Sequence, residues 1–175
     1  MAPSSIARLY DAFAPSLHRF LLSLTGNEAD TRDLLQDLFV KLARRTSQET
    51  VRDEQAWLFR AARNLTIDLA RRRMRGRRML EDFAGSPNGE PDWLTPGAKT
   101  DEFPAELQQR AASLLMALPE EQRAVVHLKL WEDLTFARIA EVLGIPANTA
   151  ASRYRYAMQK MRQALKPAEP LRYET

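Results

Sequence analysis

The sequence predicts an all-α protein: two small helical domains joined by an acidic flexible linker. Three observations predict it. Apolar residues recur at helical spacing through both halves of the 175-residue chain, and strand-type alternation is nowhere sustained. Residues 81–103 break the helical pattern with three glycines, three prolines and six acids against one lysine.

Taken in order, residues 4–24 form the first expected helix, with Pro15 as the place for a bend. The segment NEADTRDLLQDLFVKLARR then opens on Asn27, an N-cap residue, followed by acids that suit the positive end of a helix dipole. Its apolar stripe is Leu34, Leu35, Leu38, Phe39 and Leu42, and it closes on Arg44 and Arg45. Asp33, Gln36 and Asp37 share the outer face, beside what are expected to be exposed parts of Leu34 and Leu38. A polar loop, TSQETVRDE, leads into a long helix from about Gln55 to Arg78. At 100° per residue, Leu58, Ala61, Ala62, Leu65 and Leu69 fall on its buried face, and Trp57, Arg60, Asn64, Asp68 and Arg71 on a neighbouring strip.

Beyond the linker, Pro104 starts a helix to Leu118, and Pro119 starts another as its N1 residue. In LTFARIAEVLGIPANTAASRYRYAMQKM, Phe136, Ile139, Ala140 and Leu143 form the inner face of a short helix. Gly144 ends it in the left-handed conformation, Pro146 prevents simple continuation, and Asn148 or Thr149 caps the next helix. That helix keeps a spine of Ala150, Tyr154, Ala157 and Met161. Ala151, Ser152, Arg153, Arg155 and Tyr156 lie outward. This is the helix-turn-helix pattern, whose second helix can enter the major groove of DNA.

The 26 basic and 23 acidic residues leave a net charge of only +3, but they are sorted into blocks. RNLTIDLARRRMRGRRML, residues 63–80, carries seven arginines. Charges so close repel, which points to a polyanionic partner. The acidic face of the second helix suits a basic protein partner or plain solvation. The linker is either a solvated spacer or a mimic of nucleic acid. With no cysteine there is neither a disulfide nor a thiolate metal site, and no metal ligand set or cofactor motif is expected. No apolar run reaches the ~18 residues of a membrane span, so membrane insertion is not expected and the cytoplasm is the expected compartment. No catalytic residue is expected either: His18 and His127 stand apart from any acidic or nucleophilic cluster.

The pieces together resemble the bacterial sigma-70 family, in particular its small extracytoplasmic-function (ECF) members. DTRDLLQDLFVKLARR is similar to region 2.2, QAWLFRAARNLTIDLARRRMR to regions 2.3 and 2.4, and LPEEQRAVVHLKLWEDLTFARIAEVLGIPANTAASRYRYAMQKMR to region 4. The resemblance implies a region 2-like domain over residues 1–80, the linker over 81–103, a region 4-like helix-turn-helix domain over 104–167 and a tail over 168–175.

It also implies roles. Asp33, Leu34, Gln36, Asp37 and Phe39 fall where the family binds the clamp helices of core RNA polymerase, whose flap is also an expected contact. Arg60, Arg63, Asn64, Arg71, Arg72, Arg73 and Arg75 fall where the family engages the promoter −10 element. Ser47, Gln48, Glu49, Thr50, Val51 and Arg52 correspond to the loop that captures a flipped base. Asn148, Thr149, Ala151, Ser152, Arg153 and Arg155 fall on the helix that reads the −35 element. The linker corresponds to the segment threaded towards the RNA exit path, and an anti-sigma factor is an expected partner. Ala151 stands where relatives often carry lysine, and Tyr154 and Tyr156 replace a more usual Leu and Arg, which thins the basic surface of that helix. The rival reading is a helix-turn-helix transcriptional regulator that binds DNA without polymerase. An enzyme acting on nucleic acid and an adaptor that sequesters another regulator complete the alternatives.

Overall fold

The computed structural model describes residues 3–44, 53–80 and 105–165, with seven helices and no strand among them. They are α1 (Pro3–Thr25), α2 (Glu28–Arg44), α3 (Glu54–Leu80), α4 (Ala105–Met116), α5 (Glu120–Leu130), α6 (Phe136–Leu143) and α7 (Ala147–Leu165). The expected flipped-base loop, the acidic linker and the tail fall outside the described residues. Side chains at 3–5, 76–80 and 105–109 do too.

Helix α1 runs unbroken through Pro15. It turns into α2 at Gly26, whose φ of 63° is left-handed, and Asn27 then caps α2 by accepting the Asp30 N–H at 3.0 Å. Leu17, Phe20 and Leu21 of α1, Leu34, Leu38 and Leu42 of α2, and Leu58, Phe59 and Leu65 of α3 are all buried together. Each such side chain contributes about 1.5–3 kcal/mol through loss of water contact. The expectation that Leu34 and Leu38 are partly exposed is corrected here. Leu34 is 3% and Leu38 0% exposed, because α2 packs against both α1 and α3 and the whole leucine stripe turns inward. What the outer face shows instead is Leu35 in part, Val40 and the ring of Tyr10 from α1.

Among the C-terminal helices, Pro119 precedes α5 as its N-cap, with ψ at 143°, so the helix starts one residue later than a proline at N1 would give. Thr135 caps α6 by accepting the Arg138 N–H. Gly144 closes α6 at φ 65°, and its N–H and that of Ile145 both reach the Ala140 carbonyl oxygen. Helix α7 begins at Ala147, which places Asn148 and Thr149 inside its first turn and leaves the capping carbonyl to Pro146. A Cβ on Gly144 would meet nothing within 4 Å. Gly144→Ala should therefore cost only the left-handed backbone penalty, about 1–2 kcal/mol, read as a lower denaturation midpoint at unchanged slope.

The two halves are not separate. Ala124, Val125 and Leu128 of α5, Ile139 and Val142 of α6 and Ala150 of α7 belong to the same buried cluster as the leucines of α1–α3. Helix α5 lies against α1 and α6 against α3.

Candidate nucleic-acid interface

The α3 strip begins at Asp53, which caps the helix by accepting the Ala56 N–H at 3.0 Å. Trp57 is half-buried and packs on the core. Arg60, Asn64, Asp68 and Arg71 to Arg75 are exposed, and Arg63 is partly so. Exposure at i, i+4 and beyond lines these groups along one edge, where guanidinium groups can meet phosphates and an amide can meet a base edge. Four arginines of the strip are already engaged, Arg71 by an ion pair with Asp68 at 3.9 Å. Arg60 donates to the Glu141 carbonyl oxygen of α6, Arg73 pairs with Asp30 at 2.6 Å, and Arg72 donates to the Asp68 carbonyl oxygen at 3.3 Å. Asp30 is 16% exposed and its second oxygen is buried without a partner, so it holds Arg73 to the N-terminal end of α2.

On α7, Asn148, Arg155 and Tyr156 are exposed and Thr149, Ala151, Ser152 and Arg153 partly so. An open groove runs along this face, lined by Phe136, Asn148, Ala151, Ser152, Arg155 and Arg162. Arg153 turns sideways to pair with Glu121 of α5 at 2.5 Å, and Ser152 donates to the Thr149 carbonyl oxygen at 3.0 Å. Of the six α7 residues expected on this face, Arg155 and Asn148 are thus the exposed polar ones.

On α2, Asp33, Gln36 and Asp37 are exposed, whereas Leu34 and Phe39 sit in the core at 3% and 9% exposure. Phe39 is edge-on to Tyr10, ring centroids 4.8 Å apart, and both border a shallow groove with Arg32, Leu35, Gln36 and Val40. Here Leu34 and Phe39 set the position of the acids rather than forming the outer surface themselves.

His127 lies 3% exposed, stacked on Trp131 and tilted against Phe20. Glu132 stands 3.8 Å away, beyond hydrogen-bond length, and both facing atoms lack a partner. Burial pushes the His127 pKa below its ordinary value; Glu132 pulls the other way and Arg19 adds to the lowering. Among the described residues no group of three His, Cys, Asp or Glu could hold a metal ion, and no helix is long and apolar enough to cross a membrane.

Comparison with known proteins accounts for both halves. The Sigma-70 region 2 profile matches residues 9–76, and the Sigma-70, region 4 profile matches residues 108–161. The ECF RNA polymerase sigma factor SigL of Mycobacterium tuberculosis is 36% identical over 160 residues, covering 90% of this chain and 86% of its own. The chain belongs to the ECF sigma factors. A second such relative, the ECF RNA polymerase sigma factor RpoE of Cereibacter sphaeroides, is 30% identical over 91% of this chain and 86% of its own. In fold, this ECF sigma factor is similar to the sigma factor RpoE solved with the anti-sigma factor NepR from Bartonella quintana. Their TM-score is 0.71 at 24% identity, over 92% of this chain and 96% of that one. It is also similar to CnrH solved with the cytosolic domain of CnrY, with a TM-score of 0.61 at 23% identity over 94% and 89%.

Sequence reading missed several residues that organise the surfaces of this sigma factor: Asp30, Asp53, Glu121 and Arg138. Asp30 and Asp53 carried a local signal, an acid at the start of a helix. Glu121 carried the same signal in the first turn of α5, though nothing local announced its pairing with Arg153, and Arg138 carried none.

Proposed function

We propose that this ECF sigma factor binds core RNA polymerase, carries it to promoters through their −10 and −35 elements, and supports strand opening. The observation that carries the reading is the combination, in one chain, of the acid-faced α2 beside the cationic strip of α3 with the capped helix-turn-helix of α6 and α7. Asp33, Gln36 and Asp37 would meet basic groups of the polymerase clamp helices, held in place by Leu34 and Phe39 beneath. Arg60, Arg63, Asn64, Arg71, Arg72, Arg73 and Arg75 would follow the −10 strand and its flanking duplex. Asn148, Thr149, Ala151, Ser152 and Arg155 would face the −35 groove, with Arg153 steadied by Glu121. Residues 47–52 would receive the flipped base.

The division of the chain into residues 1–80, 81–103, 104–167 and 168–175 belongs to the same proposal. So does a cytoplasmic location, where the polymerase is found. No bond is made or broken by the chain itself, so it acts as an initiation factor and not as an enzyme. An anti-sigma factor is the expected regulator, the RpoE structure above being a sigma factor in complex with the anti-sigma factor NepR.

The test is in-vitro transcription with purified core polymerase on a genomic promoter library. Specific transcripts should appear with the wild type. Asp37→Arg should lower core binding at least about tenfold, roughly 1.4 kcal/mol, without altering the helical content. DNA binding that persists while no transcript forms would identify a polymerase-independent regulator instead.

A further inference from the structure

Tyr156 stands 52% exposed on α7, directly before Ala157, which is fully buried. An aromatic ring left in water on a surface expected to meet DNA calls for a reason. The Arg155 guanidinium lies over it, with Cζ 5.5 Å from the ring centroid. At that distance a guanidinium is drawn to an aromatic face and stacks on it. An exposed arginine ordinarily exchanges among many rotamers, and a flat partner one residue on narrows that choice.

The residues around the pair concentrate positive charge on Arg155. Arg153, the other arginine in residues 147–156, is turned aside to Glu121 at 2.5 Å. Ala151 offers only a methyl group where relatives often carry lysine. A lysine there would sit at i, i+4 to Arg155, and like charges at that spacing repel. Side chains on a helix lean towards its N-terminus, which carries Arg155 over the turn of Ala151 and Ser152. All three border the open groove along α7, and the Ser152 hydroxyl is spent on the Thr149 carbonyl oxygen. The next arginine on that groove, Arg162, follows two turns later, roughly 10 Å along the axis.

We propose that Arg155 reads a guanine of the −35 element through O6 and N7, and that Tyr156 is the positioning residue that aims the guanidinium. The proposal rests on the −35 reading of α7 given above. A bidentate contact needs two N–H groups directed at one base edge, so it gains from a stem held in place. A phosphate accepts a cation from a wider range of directions and carries no sequence information. It would be served as well by the arginine that many relatives carry in place of Tyr156. Here that second charge is exchanged for a ring that fixes direction.

The experiment uses the full-length chain with core polymerase on a promoter that the transcription assay returns, its −35 element randomised and the transcripts sequenced. The wild type should prefer guanine at one position of the element by about tenfold. Arg155→Ala should erase the preference at that position alone and leave the salt slope of duplex binding unchanged. Tyr156→Ala should lower the same preference at least about threefold, whereas Tyr156→Phe, which keeps the ring, should retain it. In a chain already carrying Arg155→Ala, Tyr156→Ala should have no further effect on base preference. Both side chains are exposed, so helical content should be the same in every variant. An even loss across all bases with Arg155→Ala, the slope reduced by about one, identifies a phosphate contact and overturns the proposal. So does a Tyr156→Ala effect that is absent or falls at another position, or a Tyr156→Phe variant as poor as Tyr156→Ala. Absence of transcripts with core polymerase overturns the promoter reading instead. Selection of random duplexes by the full-length chain alone, with the same variants and the same criteria, then decides whether Arg155 and Tyr156 read guanine.

Discussion

Phe20→Ala is expected to cost about 3–5 kcal/mol and to lower the melting temperature by on the order of 10 °C. Phe20 is fully buried and is touched from two directions. Phe59 of α3 meets it edge-on at 5.2 Å, and His127 of α5 is tilted against it at 5.3 Å. Truncation removes the apolar area and leaves a cavity that neither rigid ring can fill by rotating. Because the same ring serves the α1–α3 core and the contact of α1 with α5, the cavity should loosen both. Thermal unfolding by circular dichroism measures the first effect. Energy transfer between dyes on Asp11→Cys of α1 and Lys160→Cys of α7, both exposed positions in a chain without cysteine, measures the second. Val40→Ala, at an exposed position on α2, should stay within about 0.5 kcal/mol and is the control.

Acid should weaken the same region through His127. Burial holds this ring neutral below the ordinary histidine pKa, with Glu132 only partly opposing. In the unfolded chain a histidine takes up a proton near pH 6.5, roughly its value when fully solvated. Between that value and the lower one of the folded protein, the unfolded state binds more protons, so stability rises with pH across the window. His127 therefore adds no penalty above about pH 6.5, and stability falls by up to about 1.4 kcal/mol for each unit of acidification below it. The loss levels off once the folded ring is protonated too. His127→Leu removes the titration, and its denaturation midpoint should lose less on acidification than the wild type does. An identical pH profile in both proteins would show that the ring contributes nothing. Part of the burial comes from Phe20 of α1, so mild acid should also lower the energy transfer between the labels on α1 and α7.

Local signals made much of the fold legible in advance. Asn27 caps α2, Gly144 takes the left-handed backbone that ends α6, and Ala150 and Ala157 form the buried spine of α7. Each depends on residues a few positions apart, where spacing translates directly into geometry. Leu34 and Leu38 were harder to place. Periodicity put them on the α2 stripe, but only the presence of helices on both sides, α1 and α3, makes that stripe wholly internal. The start of α5 slipped by one residue, because proline suits N1 and yet here adopts the extended ψ of a cap. The arginine-rich surface was visible as composition; its commitments were not. Arg73 to Asp30, Arg153 to Glu121 and Arg138 to Asp53 are long-range pairs. No periodic pattern encodes contacts of that kind.

The apolar core that passes without a break from α1–α3 into α5 and α6 has a bearing on the stretch that joins them. A tether between bodies that already cohere need not act as a ruler. It has only to be long enough to reach, and beyond that its length and composition are free to answer to other demands. Substitutions, insertions or deletions between residues 81 and 103 that spare this reach should leave the resting arrangement of the molecule as it was, and show themselves only once the two bodies have been drawn apart.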